Sequence, residues 1–169
     1  SMTANYNYSN WATFQGTCVI DLDGQTLTAP KNKVMFPAAI KPWSGRIYPT
    51  EIIVMGGNIN VVNSPIIGYT AWSANGLDVS GKVFSFTFMN CNITATGTAD
   101  NIFAKYEQHN DTPDAIGNGR IDLINCTIDV RRAPTDAVLF NLGNGYVDTA
   151  FNVIGGTILT EGDTLFTGG

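Results

Sequence analysis

Hydrophobic and polar positions recur along the chain as a six-residue phrase. Its first two positions are apolar, the next two are small or polar, the fifth is polar, and the sixth is Ile or Leu. The copies are residues 88–93 (FMNCNI), 123–128 (LINCTI), 54–59 (VMGGNI), 153–158 (VIGGTI) and, more weakly, 22–27 (LDGQTL). The phrase returns about every 30 to 35 residues, which is a period typical of repeat proteins.

A second short apolar run follows each phrase. These runs are residues 34–36, 66–67, 102–103, 138–140 and 165–166. Short runs rich in Ile, Val and Phe and bounded by Gly, Asn and Asp predict β-strands, and no stretch sustains helical spacing. We therefore predict two strands in each repeat, with a corner of small residues between them and a variable loop before the next repeat. Since one such coil cannot bury its own apolar face, the coils must stack, with the closing Ile or Leu of each phrase turned inward.

The five phrases and the opening run 19–27 (VIDLDGQTL) resemble the right-handed parallel β-helix of the pectate-lyase-like family. This fold occurs in polysaccharide lyases, glycosidases, phage tailspikes and bacterial surface proteins. The resemblance covers roughly residues 15–169 and implies an all-β chain that forms a single right-handed parallel β-helix, or β-solenoid, of about five coils. The fold hosts many functions, so the function must be argued from the site.

The same repeats predict the domain organisation. Residues 15–169 are expected to form the β-helix domain. Residues 1–14 are expected to comprise the remnant of a cleaved tag, Ser1-Met2, and a segment whose Trp11 and Phe14 cap the open end of the stack. The fifth coil stops in mid-coil by the repeat count. We therefore expect a solenoid that is truncated at its C-terminus, or a protomer of a homo-oligomer, such as a trimer, whose partner covers the open end.

Composition narrows the possible partners. Only 14% of the residues are charged and 18 are glycine, which suits a β-solenoid because glycine turns the corners. The net charge of −5 argues against binding of nucleic acid, which needs a basic face. No apolar run approaches the ~20 residues of a membrane span.

Two of the three cysteines, Cys91 and Cys126, occupy the same position in the phrase. The repeat places them on adjacent coils, about 4.8 Å apart, which is close enough for a disulfide. Because free cysteine is among the most buried residue types, we expect two reduced, inward-facing thiols, with a disulfide as the alternative. The spacing does not match a metal site.

Aromatic residues suggest a carbohydrate-binding surface. Trp43, Trp72 and Tyr106 occupy similar offsets in the loops after the second apolar runs, and these rings are expected to approach one another on successive coils. Aromatic faces suit the C–H faces of sugars, and Arg46 is a candidate for a polar contact nearby. The alternative is that the rings pack on their own loops.

The candidate catalytic residues are the carboxylates Glu107, Asp111, Asp114 and Asp129. A pair of carboxylates can serve as acid and base in glycoside hydrolysis, and oxygen-rich loops can bind calcium. The alternative is that these residues are solvated turn formers. The chain does not carry the full combination of motifs that is typical of lyases with this fold, or of polygalacturonase-type hydrolases. We expect no cofactor, with calcium as the alternative, and an Arg131-Arg132 pair that serves in a salt bridge or neutralises an acidic sugar.

The favoured hypothesis is a non-catalytic, glycan-facing segment of a phage tailspike or cell-surface protein. Its expected partner is a polysaccharide or surface glycan, and its expected location is extracellular, on a cell surface or on a virion. The first alternative is a polysaccharide lyase or glycoside hydrolase that uses the loop carboxylates. The second alternative is a purely structural spacer or virion component that binds only protein.

Overall fold

The computed structural model describes residues 4, 6–7, 16–29, 36–40, 50–63, 66–72, 83–97, 101–109, 117–132, 138–141, 147–161 and 166–167. Within these residues, every helix or strand element is a strand. The strands are β1 (Tyr6–Asn7), β2 (Gly16–Asp21), β3 (Thr26–Thr28), β4 (Phe36–Ile40), β5 (Thr50–Met55), β6 (Asn58–Val62), β7 (Ile67–Trp72), β8 (Val83–Met89), β9 (Asn92–Thr96), β10 (Asn101–His109), β11 (Gly117–Ile124), β12 (Thr127–Arg132), β13 (Val138–Asn141), β14 (Val147–Ile154), β15 (Thr157–Leu159) and β16 (Phe166–Thr167).

The strands form three sheets, which the chain enters in a fixed cyclic order from β2 onward. The first sheet has the order β14-β11-β8-β5-β2, the second β1-β3-β6-β9-β12-β15, and the third β16-β13-β10-β7-β4. Every pairing is parallel. The predicted all-β class is therefore confirmed.

The prediction of two strands per repeat is wrong, because each full repeat has three. The recurring phrase is itself divided by a corner: in residues 88–93 the first two residues end β8, Asn90 and Cys91 turn the chain, and the last two begin β9. Asn90 has a φ of 53° and Asn125, at the same position, a φ of 52°. Since Asn tolerates this left-handed region better than most residues, it can end one strand and start the next. Each second apolar run overlaps a strand of the third sheet.

The closing residues of the phrases form one inward row of the second sheet. The register joins them in the order Leu27, Ile59, Ile93, Ile128, Ile158. The first four are at most 6% exposed, whereas Ile158 is half-buried. The first sheet contributes inward residues that are at most 1% exposed: Ile52, Val54, Phe86, Phe88, Ile121 and Leu123. The predicted inward stack is confirmed for the described residues.

The two phrase cysteines are free and buried, as expected. Cys91 is 1% exposed and Cys126 is 4% exposed. The Cys91 thiol donates to the carbonyl oxygen of Val54 (3.5 Å), and the Cys126 thiol donates to that of Phe88 (3.3 Å). Each thiol therefore lies against the main chain of the preceding repeat. The repeat predicted the inward, reduced state of both thiols but not these contacts.

Three predicted loop residues lie in strands instead. Trp72 ends β7, and Tyr106 and Glu107 lie within β10. The polar composition of this part of the chain favoured a loop. However, β10 pairs continuously with β7 over six residue pairs, and this ladder satisfies the backbone of both strands whatever the polarity of their side chains.

One strand precedes the first repeat. β1 pairs with β3 through Tyr6 and Leu27, and so adds an edge strand to the second sheet. The proposed capping residues Trp11 and Phe14 lie outside the described residues. The domain boundary at residue 15 and the truncation of the last coil stay predictions.

Candidate functional site

Two rows of side chains, polar at every position except Leu159, run across the outward surface of the second sheet. Residues alternate between the two faces of a strand, so the neighbours of each buried closing residue point outward. The strand register aligns them as Thr26, Asn58, Asn92, Thr127 and Thr157 in one row, and as Thr28, Asn60, Thr94, Asp129 and Leu159 in the other. We call these ten positions the polar face.

Side-chain amides link neighbouring strands on the polar face. Asn92 donates from Nδ2 to Asn58 Oδ1 at 3.1 Å, and Asn58 donates from its own Nδ2 to the carbonyl oxygen of Gly24 at 3.3 Å. An amide has two donor hydrogens and an acceptor oxygen with two lone pairs, which is more capacity than these bonds use. The linked amides are therefore held in place and can still bond to a ligand.

A charged groove adjoins the polar face where β12 ends. It is lined by Asp129, Arg131, Arg132 and Glu161 and has a volume of about 290 Å³. Arg131 binds Asp129 in a bidentate manner, with Nε 3.0 Å from Oδ1 and Nη2 2.7 Å from Oδ2, and its backbone N–H donates to Oδ1 at 3.2 Å. The salt-bridge role expected for this arginine is confirmed.

This ion pair determines the charge of Asp129. The hydrogen bonds from the side chain and backbone of Arg131 lower the pKa of Asp129 to about 2. The carboxyl group is therefore ionised at neutral pH and cannot donate a proton as the general acid of a glycosidase. Among the described residues, no ion pair or hydrogen bond involves the Arg132 guanidinium.

A second carboxylate–arginine pair lies on the outward side of the first sheet. Asp122 is only 6% exposed, and both of its oxygens have partners: Arg120 Nε at 2.7 Å and Asn152 Nδ2 at 2.6 Å. Asn152 is the register partner of Asp122 on β14, so the bond links adjacent strands. The buried carboxylate of Asp122 therefore holds β11 against β14.

The predicted site residues that the structure describes lie on different sheets or at different positions along one sheet. Asp129 lies on β12 of the second sheet, whereas Glu107 and Tyr106 lie on β10 of the third. Tyr106 pairs with Tyr69, and Trp72 pairs with His109. Tyr106 and Trp72 are thus offset by three positions, or roughly 10 Å along the strands. The remaining candidates lie outside the described residues: Trp43, Arg46, Asp111 and Asp114.

Apart from Asp129, neither the residues of the polar face nor Glu161 were among the site residues predicted from the sequence. A signal for the polar face was present, since each closing Ile or Leu is preceded by Thr or Asn, and most are followed by a polar residue. Alternation around a buried residue predicts outward positions, but only the register shows that these positions align. Glu161 follows Ile158 by three residues, as Arg131 follows Ile128, so the repeat could have placed Glu161 near Arg131.

Neither a metal-binding group nor a membrane-spanning helix is found in the part of the chain that the structure describes. No group of three or more His, Cys, Asp or Glu residues there could hold a metal ion. No helix there is long and apolar enough to cross a membrane.

The chain was also compared with known proteins. No protein-family model matches it, and neither a curated protein nor a solved structure is significantly similar to it. These comparisons do not identify the pectate-lyase-like family that the sequence resembles. The parallel sheets and the polar face are therefore the features that bear on the function of this chain.

Proposed function

We propose that the chain is a right-handed parallel β-helix of about five coils, as in the pectate-lyase-like family. Support comes from the cyclic order in which the chain enters three parallel sheets, and from a register that places equivalent residues of successive repeats side by side. The right-handed sense rests on the strong bias of parallel crossover connections.

We propose that the polar face of this β-helix binds an extended polysaccharide without cleaving it. The observation that carries the proposal is the alignment of Thr and Asn side chains in two rows. Hydroxyl and amide groups both donate and accept hydrogen bonds, as sugar hydroxyls do. Parallel strands repeat the same groups about every 4.8 Å. An extended polymer can therefore make many weak contacts at once, and these together give useful affinity.

The charge state of Asp129 excludes it as the general acid of a glycosidase. It is the one candidate catalytic carboxylate that lies on the polar face, and its ion pair with Arg131 keeps it ionised. A glycosidase needs one protonated and one ionised carboxyl group near the scissile bond.

A polysaccharide ligand also implies that the protein acts outside the cell, on a cell surface or on a virion, as a tailspike or surface protein does.

Hydroxyl-to-methyl exchanges on the polar face test the proposal. Thr94 and Thr127 are replaced together by Val, which keeps the shape of each side chain and removes one hydroxyl. We expect binding to a polysaccharide from a panel of neutral and acidic polymers to weaken at least tenfold, since hydrogen bonds to the ligand are lost. Isothermal titration calorimetry measures the affinity, and the melting temperature checks the fold.

The matched control is Thr87→Val, on the outward side of the first sheet. It should leave the affinity unchanged. The proposal fails if the parent protein binds no member of the panel, or if the control weakens binding as much as the double variant. Release of reducing ends or of unsaturated products by the parent protein would instead support the lyase or glycosidase alternative.

A further inference from the structure

We infer that Cys91 and Cys126 are a latent disulfide, which small disulfide oxidants can close to join two neighbouring coils of the proposed β-helix. The flanking register fixes their relation, because Met89 pairs with Ile124 and Asn92 with Thr127. The two cysteines therefore stand at equivalent points of adjacent corners, about 4.8 Å apart by strand spacing. This separation lies within the Cα range of natural disulfides, about 4.4–6.8 Å.

The reduced state has an identifiable geometry. Besides the bonds to the preceding repeat, each thiol also reaches the carbonyl oxygen two residues before it, Met89 for Cys91 (3.3 Å) and Ile124 for Cys126 (3.5 Å). Each Sγ atom thus contacts two carbonyl oxygen atoms, at equivalent positions of successive corners. Rotation about the Cα–Cβ bonds can turn the two sulfur atoms toward each other without moving a strand.

The corner also offers a route for the oxidant. The thiols are buried, but their neighbours Asn90, Asn92 and Asn125 are exposed. Each buried cysteine therefore has at least one exposed residue as its direct neighbour in the chain. Local opening of the corner, which carries no large side chain at these positions, is enough to expose a thiol without unfolding the sheets. Burial makes this exchange slow in the closed state, because the oxidant must reach a thiolate. The hydrogen bond between the two thiols raises the pKa of Cys91 and lowers the pKa of Cys126 to about 7, so Cys126 is the thiol that ionises first.

The exchange conserves atoms and electrons. One cysteine thiolate attacks a sulfur atom of oxidised glutathione, forms a mixed disulfide and releases one glutathione thiolate. The second cysteine thiolate then attacks the protein sulfur of that mixed disulfide and expels the second glutathione. Two protein thiols are oxidised to one disulfide, one glutathione disulfide is reduced to two thiols, and the protons of the cysteine thiols pass to solvent and to the glutathione products.

The test uses the folded protein incubated with oxidised or with reduced glutathione. Free thiols are then alkylated, and peptides are mapped by mass spectrometry without reduction. We expect a Cys91–Cys126 cross-link after oxidation only, with Cys18 either reduced or joined to glutathione and outside the cross-link. We also expect a melting temperature that is higher by roughly 5–10 °C, because the cross-link restricts the unfolded chain.

Two variants separate the pair from the third cysteine. Cys18→Ser should keep both the cross-link and the rise in melting temperature, whereas Cys126→Ser should lose both. The inference is overturned if oxidation of the parent yields only mixed disulfides or a cross-link that includes Cys18. It is also overturned if no cross-link forms even when the parent is refolded in oxidised glutathione. The peptide map of the parent decides the question if Cys126→Ser does not fold.

Discussion

The corners between the first and second sheets are of two kinds. An Asn-Cys corner follows β8 and β11, and a Gly-Gly corner follows β5 and β14. At the outer position both kinds are alike: Asn90 has a φ of 53° and Gly56 a φ of 72°. Gly and Asn reach this left-handed region more easily than other residues do, so the backbone treats the two as equivalent.

The two kinds differ at the inner position. Cys91 has a buried side chain, whereas a Cβ atom at Gly57 would overlap the side chain of Leu22 and lie 2.6 Å from the carbonyl oxygen of Gln25. Leu22 belongs to the longer corner after β2 and is fully buried. Its bulk occupies the space above Gly57. At Gly57 the neighbouring coil therefore limits the size of the inner residue, whereas Gly156, at the same position of the other Gly-Gly corner, also has a left-handed φ of 86°.

The largest expected effect tests whether both kinds of corner lead to the same interior. Ile59 follows a Gly-Gly corner and Ile93 an Asn-Cys corner, and both are at most 1% exposed. Ile59→Ala and Ile93→Ala should each lower the free energy of unfolding by about 2–5 kcal/mol, because each leaves a cavity. Urea denaturation measures the loss. Ile158→Ala is the control, with a smaller loss since Ile158 is only half-buried. Neutral behaviour of Ile93→Ala would contradict the inward stack.

The next effect tests the fit between coils. Gly57→Ala should cost about 1–3 kcal/mol, because the added methyl group meets Leu22 and the backbone of Gln25. Leu22→Gly removes the Cβ atom that the new methyl group would overlap, so the Leu22→Gly, Gly57→Ala double variant should be more stable than the sum of the two single losses implies. Thermal unfolding of the four proteins completes the cycle. Strict additivity would show that Leu22 does not set the size of residue 57.

A smaller effect tests the equivalence of the outer positions. Gly56→Asn should change stability by less than about 0.5 kcal/mol, whereas Gly56→Val should cost about 1–2 kcal/mol through the left-handed backbone. Space does not decide the outcome, because the nearest atom to a Cβ at this position is Asp21 Oδ1 at 3.6 Å. Equal stabilities of the two variants in denaturant titrations would refute this account.

The smallest effect concerns the strands that follow the corners. β12 carries Asp129 where its partner β15 carries Leu159, so only β12 has a titrating group at this position. The hydrogen bonds from Arg131 lower the pKa of Asp129 from its ordinary 3.8 to about 2. Its contribution to stability is therefore complete above pH 3.8 and is lost as the pH falls toward 2.

Carbon NMR of the Asp129 carboxyl group should show this midpoint near pH 2. Arg131→Gln is the matched variant and should return the midpoint toward its ordinary value. The change in melting temperature should be slight, since the ion pair is exposed to solvent. A midpoint near 3.8 in the parent protein would mean that the ion pair does not form in solution.

The repeat period and the inward residues were available from the sequence. A closing Ile or Leu every 30 to 35 residues or so predicted the all-β class, the buried row through Ile59, Ile93 and Ile128, and the neighbouring positions of Cys91 and Cys126. The buried residues recur periodically in the sequence, because each repeat places an apolar side chain at the equivalent position of the interior.

The third strand of each repeat was not predicted. Asn90 and Asn125 turn the chain in the middle of the phrase, but apolar residues lie on both sides of them. The sequence therefore suggested one strand where the structure has two. Likewise, Tyr106 and Glu107 belong to a polar stretch that favoured a loop, yet pairing with β7 makes it a strand. Hydrogen bonds to a neighbouring strand depend on a segment far away in the chain, and local composition does not record them.

The candidate site depends still more on tertiary structure. The sequence by itself determined which residues flank each buried position, such as Thr94 beside Ile93 and Asp129 beside Ile128. Only the register of the parallel strands decided that these flanking residues align into the polar face, and only the tertiary structure shows that Glu161 lines the groove with Asp129 and Arg131. The physical reason is that alternation along a strand is a local property, whereas the alignment of strands is fixed by the packing of the whole stack.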